Sequence, residues 1–221
     1  MMQAPKGNRN IIEDKEKYWG KFAYTYNEDQ EYVVGKTILQ AITKRLSEER
    51  DLGEVIEFGC GTGYFTKAIA KKARNVFATD LSDEMLEIAK IELREFQNIT
   101  IQKADCKDTS FPSGRFDTVF MANLIHVLIN PTKVLQESHQ ILKNGGLLLI
   151  VDFTGYSMNW FEKIKLGIRY LRKWGLPLRY ARNNLSPDEL ACLVENVDFK
   201  VEEVQIMGDK TKALYLKGRK N

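Results

Sequence analysis

Histidine is scarce in this sequence: His126 and His139 are the only two. Neither stands at metal-ligand spacing from a cysteine, which argues against a zinc site. Cysteine is scarce too, with Cys60, Cys106 and Cys192 widely separated. An odd, scattered set is no disulfide framework and points to a reducing compartment, the cytoplasm. Long apolar runs are missing. The longest, residues 147–151, is far too short to cross a bilayer. The first ten residues carry Pro5, Lys6, Asn8 and Arg9 and no apolar centre, so no signal peptide is expected. Neither charge sign dominates, and a net +3 does not by itself imply nucleic acid. There is no internal repeat and no low-complexity tract.

What the chain does have is alternation. After a polar start at 1–12 comes an aromatic stretch, Tyr18, Trp19, Phe22, Tyr24 and Tyr26. Val34, Ile38, Ala41 and Ile42 recur at helical spacing, which predicts one long helix over 31–47. Strands are expected at 55–58, 75–79, 99–103, 116–121 and 147–151, with helices at 64–72, 82–93 and 131–142 between them. Ser82 is the expected N-cap of its helix, and Pro131 occupies a first helical position. Asn144-Gly145-Gly146 is expected to end the third of these helices. Such alternation predicts an α/β fold: a Rossmann-like, doubly wound, seven-stranded and mostly parallel sheet with helices on both faces. Residues 201–207 and 213–217 read as two strands around Gly208-Asp209, an antiparallel C-terminal hairpin at the sheet edge. Residues 1–30 then form an aromatic cap segment, and 31–221 a single domain with a helical lid insertion at 156–184.

The chemistry gathers at strand ends. Glu57-Phe58-Gly59-Cys60-Gly61-Thr62-Gly63 closes the first strand. Glycines there let the backbone approach a ligand and turn into a helix, where α/β sheets bind nucleotide-type groups. A dinucleotide fingerprint needs its third glycine at position 64, which is Tyr64. A plain tight turn would also use these glycines. Asp80 ends the second strand, at the distance where an acid accepts from ribose hydroxyls. It also reads as a helix N-terminal acid. Ala104-Asp105-Cys106 follows the third strand. Asp105 is placed to accept from an adenine amino group, or to sit as a solvated loop acid.

In this order these residues resemble the class I S-adenosylmethionine-dependent methyltransferases, and most closely their small-molecule, ubiquinone/menaquinone-biosynthesis branch. The resemblance covers about residues 31–155. It rests on V-I-E-F-G-C-G-T-G (55–63), A-T-D-L-S-D-E-M-L-E-I-A (78–89), A-D-C (104–106), F-D-T-V-F-M-A-N-L-I-H (116–126) and L-K-N-G-G-L-L-L-I (142–150). Asn144 departs from the family, which usually has proline there. The resemblance implies S-adenosylmethionine as cofactor. Gly59, Gly61 and Gly63 would approach its methionine part, with Glu57, Phe58 and Cys60 close by. Asp80 would take the ribose, and Leu81 and Met85 would pack near the adenine. Ala104, Asp105 and Cys106 would flank the adenine edge, and Asn123 and Leu124 would line the reactive side. No metal is implied.

Methyl transfer from a sulfonium needs mainly proximity, orientation and a dry pocket. A hydroxyl or enol acceptor would also use a general base, and His126, just after the fourth strand, is the candidate. It reads equally as a loop-capping histidine. Asp152 ends the fifth strand on the same edge, as a second polar group or a solvated acid. His139 reads as a surface residue and Cys60 as a packing residue. Tyr18, Tyr26, Asp152 and Phe161 are the candidates on the substrate side.

Residues 158–182 carry Lys163, Lys165, Arg169, Arg172, Lys173, Arg179 and Arg182 against one acid, Glu162. Phe161, Ile164, Ile168, Leu171 and Trp174 form an apolar stripe on the same helix. The first expectation is a lid packed on the sheet edge through that stripe. The sharper one is a helix on a membrane surface. Two other functions share the fold. A non-catalytic S-adenosylmethionine-binding protein would carry the same motifs. A nicotinamide-dependent oxidoreductase is opposed by Tyr64 and by the lack of a hydride-transfer set. A nucleic-acid methyltransferase is opposed by Asn123-Leu124-Ile125-His126, where such enzymes carry an Asn/Asp-Pro-Pro-Tyr-like segment.

Overall fold

The computed structural model describes residues 18–176 and 184–221. The expected polar start at 1–12, and Arg179 and Arg182, lie outside the described residues.

The centre is a seven-stranded sheet: β1 Glu54–Phe58, β2 Asn75–Asp80, β3 Ile99–Lys103, β4 Phe116–Ala122, β5 Leu142–Thr154, β6 Phe199–Met207 and β7 Lys212–Lys220. Its order is β3-β2-β1-β4-β5-β7-β6. The first five strands run parallel, with Val55 facing Val76 on one side and Thr118 on the other. Only β7 is reversed, inserted antiparallel between β5 and β6. The strand order reverses between β1 and β4, so a crevice opens beyond their carboxyl ends, where ligands enter such sheets.

The central strands are apolar because both faces are covered. On one face Ile38, Leu39, Ile42 and Ile69 pack with Val55, Phe120 and Leu149. On the other, Val134, Leu135, Leu190 and Val194 pack with Ile56, Val119 and Leu148. Local chemistry sets the helix ends. In the helix Asp83–Glu92, Ser82 Oγ accepts from Met85 N at 3.3 Å. Ser186 and Glu189 exchange reciprocal bonds of 3.1 and 2.8 Å at the start of Pro187–Glu195.

Three elements differ from expectation. The long helix over 31–47 is two helices, α1 Tyr26–Val34 and α2 Lys36–Ser47, broken at Gly35 with φ 94°. Apolar periodicity continues across that break and hides it. The helix over 64–72 shrinks to α3 Thr66–Ala70. The third concerns β5. It begins at Leu142, directly after the helix Pro131–Ile141, and Asn144-Gly145-Gly146 lies inside it. Leu142 pairs with Phe116, and the register shifts before Leu147 meets Thr118. The glycines serve an irregular strand rather than a helix stop.

After β5 the chain enters the helix Trp160–Trp174, called α6 here, in chain order behind α4 Asp83–Glu92 and α5 Pro131–Ile141. Asn159 Oδ1 caps it, accepting from Glu162 N at 2.9 Å, and Gly175 ends it at φ 75°. The apolar stripe does not pack on the sheet. Phe161, Ile164, Ile168 and Leu171 are 59, 49, 45 and 47% exposed, and Trp174 alone of the stripe is buried. The helix packs instead through Leu166, Tyr170 and Trp174, a second line at i, i+4, i+8. Trp174 stacks on Tyr26 at 5.7 Å and meets Trp19 edge-on at 5.6 Å. The N-terminal aromatics thus select which face of α6 turns inward.

Candidate functional site

A cavity of about 680 Å³ occupies the crevice at the carboxyl ends of the strands. Its floor is the turn after β1. Gly59, Gly61 and Gly63 all have positive φ, at 68, 54 and 83°. Gly61 lines the cavity, and a Cβ there would meet nothing within 4 Å, so the residue keeps the wall open. Gly63 differs. A Cβ on it would come within 2.7 Å of Leu93 Cδ1, so this glycine lets the loop pack on the α4 side.

Asp80, at the end of β2, shapes the same loop. Its Oδ2 accepts from Gly61 N and its Oδ1 from Ser82 N, both at 2.9 Å. The loop is tied to β2 a second time by Cys60 N to Thr79 O, at 2.9 Å. Glu57 sits under the loop, 1% exposed, and lines the cavity. Its Oε2 has no hydrogen-bond partner among the described residues. Burial pushes its carboxyl up to about 8, and the Asp80 charge acts in the same direction. Burial likewise pushes the Cys60 thiol far up, with Asp80 and Glu57 adding to it, so Cys60 is no thiolate nucleophile.

The roof comes from α1 and α6. Trp19, Tyr26 and Gln30 line the cavity from the N-terminal side, and Leu166, Tyr170 and Trp174 from α6. Thr62 Oγ1 donates to Asn27 Oδ1 at 2.6 Å, joining roof and glycine loop. Lys173 Nζ reaches Asp29 Oδ1 at 2.7 Å, clasping α6 to α1.

On the far wall, Asn123 takes a left-handed backbone at φ 56°, and the chain turns through a short 3₁₀ helix, Ile125–Val127. Asn123 Oδ1 has no hydrogen-bond partner among the described residues. His126 lines the cavity. Its backbone N donates to Asp152 Oδ2 at 2.9 Å, and its ring Nδ1 pairs with Asp152 Oδ1. Burial alone would lower the imidazole pKa. The charge and hydrogen bond of Asp152 outweigh it and raise the value above ordinary. Since Nδ1 is engaged, Nε2 is the nitrogen left for the cavity.

The structure brings Glu57, Gly59, Cys60, Gly61, Asp80, Leu81, Met85, Ala104, Cys106, Asn123, Leu124, His126 and Tyr26 to this one cavity. Several expected residues are elsewhere. Phe58 is fully buried in the core of the opposite face, because alternate residues of β1 point to opposite sides. Gly63 packs on Leu93, as above. Asp105 is absent from the cavity lining, and its Oδ1 accepts from Lys107 N at 3.0 Å, closing a short turn. Tyr18 donates to the Trp174 carbonyl at 2.7 Å and supports the roof from outside. Asp152 lies behind His126, and Phe161 stacks on Trp160 at 3.8 Å on the outer surface. Reading along the sequence missed Trp19, Gln30 and Tyr170, which reach the cavity only when α1 and α6 pack over the loop.

Residues 56–150 match the methyltransferase-domain family. Over that stretch the chain is similar to known methyltransferase domains. A demethylmenaquinone methyltransferase of Tropheryma whipplei is 29% identical over 156 residues, covering 70% of this chain and 63% of that protein. A ubiquinone/menaquinone biosynthesis C-methyltransferase of Citrifermentans bemidjiense is 27% identical over 118 residues, 51% of this chain and 50% of that one. The aligned stretch therefore spans between half and two thirds of the length of these relatives. A solved SAM-dependent methyltransferase from Aquifex aeolicus superposes with a TM-score of 0.67 at 18% identity, covering 90% of this chain and 97% of its own, which shows the shared fold.

The cofactor of such a methyltransferase domain is S-adenosylmethionine, and the cavity fits it. The orphaned Glu57 Oε2 needs a donor or a cation, which a sulfonium and ammonium compound brings. The open wall at Gly61 admits the ligand against bare backbone. No group of three or more metal-ligating side chains occurs among the described residues. No helix among them is long and apolar enough to cross a membrane.

Proposed function

We propose that this chain is an S-adenosylmethionine-dependent methyltransferase acting on a small, lipophilic, quinone-like acceptor, with His126 as general base positioned by Asp152. The observation that carries it is the His126–Asp152 pair, set in the wall of the cavity whose floor is the glycine loop. Fold alone would not select an enzyme over a binding protein. A histidine paired with a carboxylate in the cavity wall favours an enzyme over a purely binding protein.

When bound, S-adenosylmethionine supplies a methyl group already activated on sulfur. The chain's residues do the rest. Gly59 and Gly61 accommodate the amino-acid end, with Glu57 beneath it. Asp80, which lines the cavity at the end of β2, accepts from ribose hydroxyls. Leu81 and Met85 supply apolar walls for the base. Trp19, Tyr26, Tyr170 and Trp174 exclude water from the reacting centre. His126 Nε2 takes the proton that a phenolic or enolic acceptor releases, and Asp152 stabilises the resulting imidazolium.

In this proposal residues 1–30 form the cap and 156–184 the lid over one domain. None of the three cysteines is in a disulfide, which supports a cytoplasmic setting. A bilayer surface is the source from which a lipophilic acceptor would arrive. The test is calorimetry with S-adenosylmethionine and with NAD, followed by transfer of labelled methyl to a panel of demethylated quinols and small phenols. Binding of the sulfonium and labelling of a quinol are expected. NAD binding without sulfonium binding would overturn the reading, and sulfonium binding with no labelled product would leave a cofactor-binding protein.

A further inference from the structure

The outer face of α6 is unlike the rest of the surface. Trp160, Phe161, Ile164, Ile168 and Leu171 are all exposed, from 45 to 61%, and their spacing puts them on one side of the helix. The opposite side, Leu166, Tyr170 and Trp174, is the one packed over the cavity. The helix is thus apolar on two sides, and only one is covered by the described residues. Monomeric proteins seldom leave a contiguous apolar stripe of this size in water.

The charges beside the stripe have one sign. Lys165 and Arg172 flank one edge and Lys163 the other, and the helix carries five cations, with Arg169 and Lys173, against Glu162 alone. Glu162 is only 14% exposed and already takes Lys165 at 3.3 Å. Trp160 and Phe161 stack at the exposed start of the helix, the ring types that settle at a headgroup boundary. A second copy docked face to face would bring these cations together with no exposed acid of the helix to meet them. The face is also a convex ridge, whereas a peptide partner is taken up in a groove.

We propose that this face of α6 docks on an anionic lipid surface, with the apolar stripe in the interface and Lys163, Lys165 and Arg172 among the headgroups. Leu171 belongs both to this face and to the cavity lining, and Lys163 lines the cavity as well. Docking therefore sets the cavity mouth against the bilayer, so a lipophilic acceptor passes between them without crossing water. That use rests on the proposed acceptor class, but the docking itself does not, and it is measured without cofactor or acceptor.

The experiment is sedimentation of the full chain with phosphatidylcholine vesicles, with and without phosphatidylglycerol, at low and high salt. Binding to the anionic vesicles alone, released by salt, is expected. The pairs Lys165→Glu with Arg172→Glu, and Phe161→Glu with Ile168→Glu, should each weaken it by about tenfold or more. All four side chains are outside the core, and circular dichroism checks that the variants fold. Equal binding to both vesicle types, or none to either, overturns the proposal. So does a dimer in analytical ultracentrifugation that Phe161→Glu with Ile168→Glu dissociates, since the face then belongs to a second copy. Vesicle binding by a chain that labels no quinol would retain the docking surface and remove the acceptor class.

Discussion

Asp152 holds His126 at two points, by the backbone N–H on one carboxylate oxygen and by ring Nδ1 on the other. Backbone and ring are thereby oriented together, and the neutral imidazole keeps its proton on Nδ1. The buried carboxylate, 1% exposed, lies two residues before the end of β5, while His126 follows β4. Adjacent parallel strands bring them together from 26 residues apart in sequence.

A base acts when neutral. Because Asp152 raises the His126 pKa, kcat/KM should climb with pH through a value above the ordinary one of about 6.5. Asp152→Asn should move that limb to lower pH and reduce kcat by about 10²–10⁴-fold, with cofactor affinity kept. A flat profile between pH 5 and 9 would remove His126 from the chemistry. The same pair has a stability signature. It stabilises the fold below the ordinary histidine value and fades as pH rises through the raised one, so the loss in Tm from Asp152→Asn should be greater at pH 5.5 than at pH 9.

Glu57 loses stability in the same direction of pH, for a different reason. Its native carboxyl titrates near 8, so the folded chain keeps a proton that the unfolded chain sheds from about 4.5 upward. Stability from this group falls over that window. Glu57→Gln should therefore raise Tm at pH 9 in the cofactor-free protein. It should also weaken S-adenosylmethionine binding by about 1–3 kcal/mol, because the cationic end loses its acid. Thermal scans with and without cofactor separate the two effects, and unchanged affinity would assign Glu57 to the core alone.

Asp80 and Asp105 should part company. Asp80→Ala removes the acceptor of Gly61 N as well as that proposed for the ribose, and should cost about 1–3 kcal/mol or more of cofactor affinity. Asp105→Ala should leave affinity within about twofold, since its carboxylate is engaged by Lys107 and does not line the cavity. Calorimetry on the two variants decides, and a large loss from Asp105→Ala would place it at the adenine after all.

The two glycines differ in the same testable way. Gly63→Ala meets Leu93 at 2.7 Å with φ at 83°, and should lower stability by about 1–3 kcal/mol. Gly61→Ala bears the strain of an L residue at φ 54° but meets nothing in the protein, so its stability loss should be smaller and its methyl should chiefly weaken cofactor binding. Urea melts and calorimetry on both should show the contrast. Equal effects on both measurements would mean that the loop responds as one unit.

The sequence by itself determined the sheet and its ligand edge. β1 to β5 read as short apolar segments between capped helices because Val55, Ile56, Val119 and Leu148 are buried on both sides. The glycine turn and Asp80 stand at strand ends, where local spacing alone implies a ligand site. Tertiary structure decided what depends on the direction a side chain takes. Phe58 and Glu57 are neighbours in sequence and face opposite sides of β1. Asp105 turns to its own loop, which competes for its carboxylate more cheaply than a distant ligand does. The stripe on α6 was legible as a stripe, but its neighbour line Leu166-Tyr170-Trp174 is apolar too, and periodicity cannot rank two faces of one helix. Contact with Trp19 and Tyr26, more than a hundred residues away, turned one line inward and left the other exposed, because aromatic packing at that distance is settled only when the chain folds back on itself.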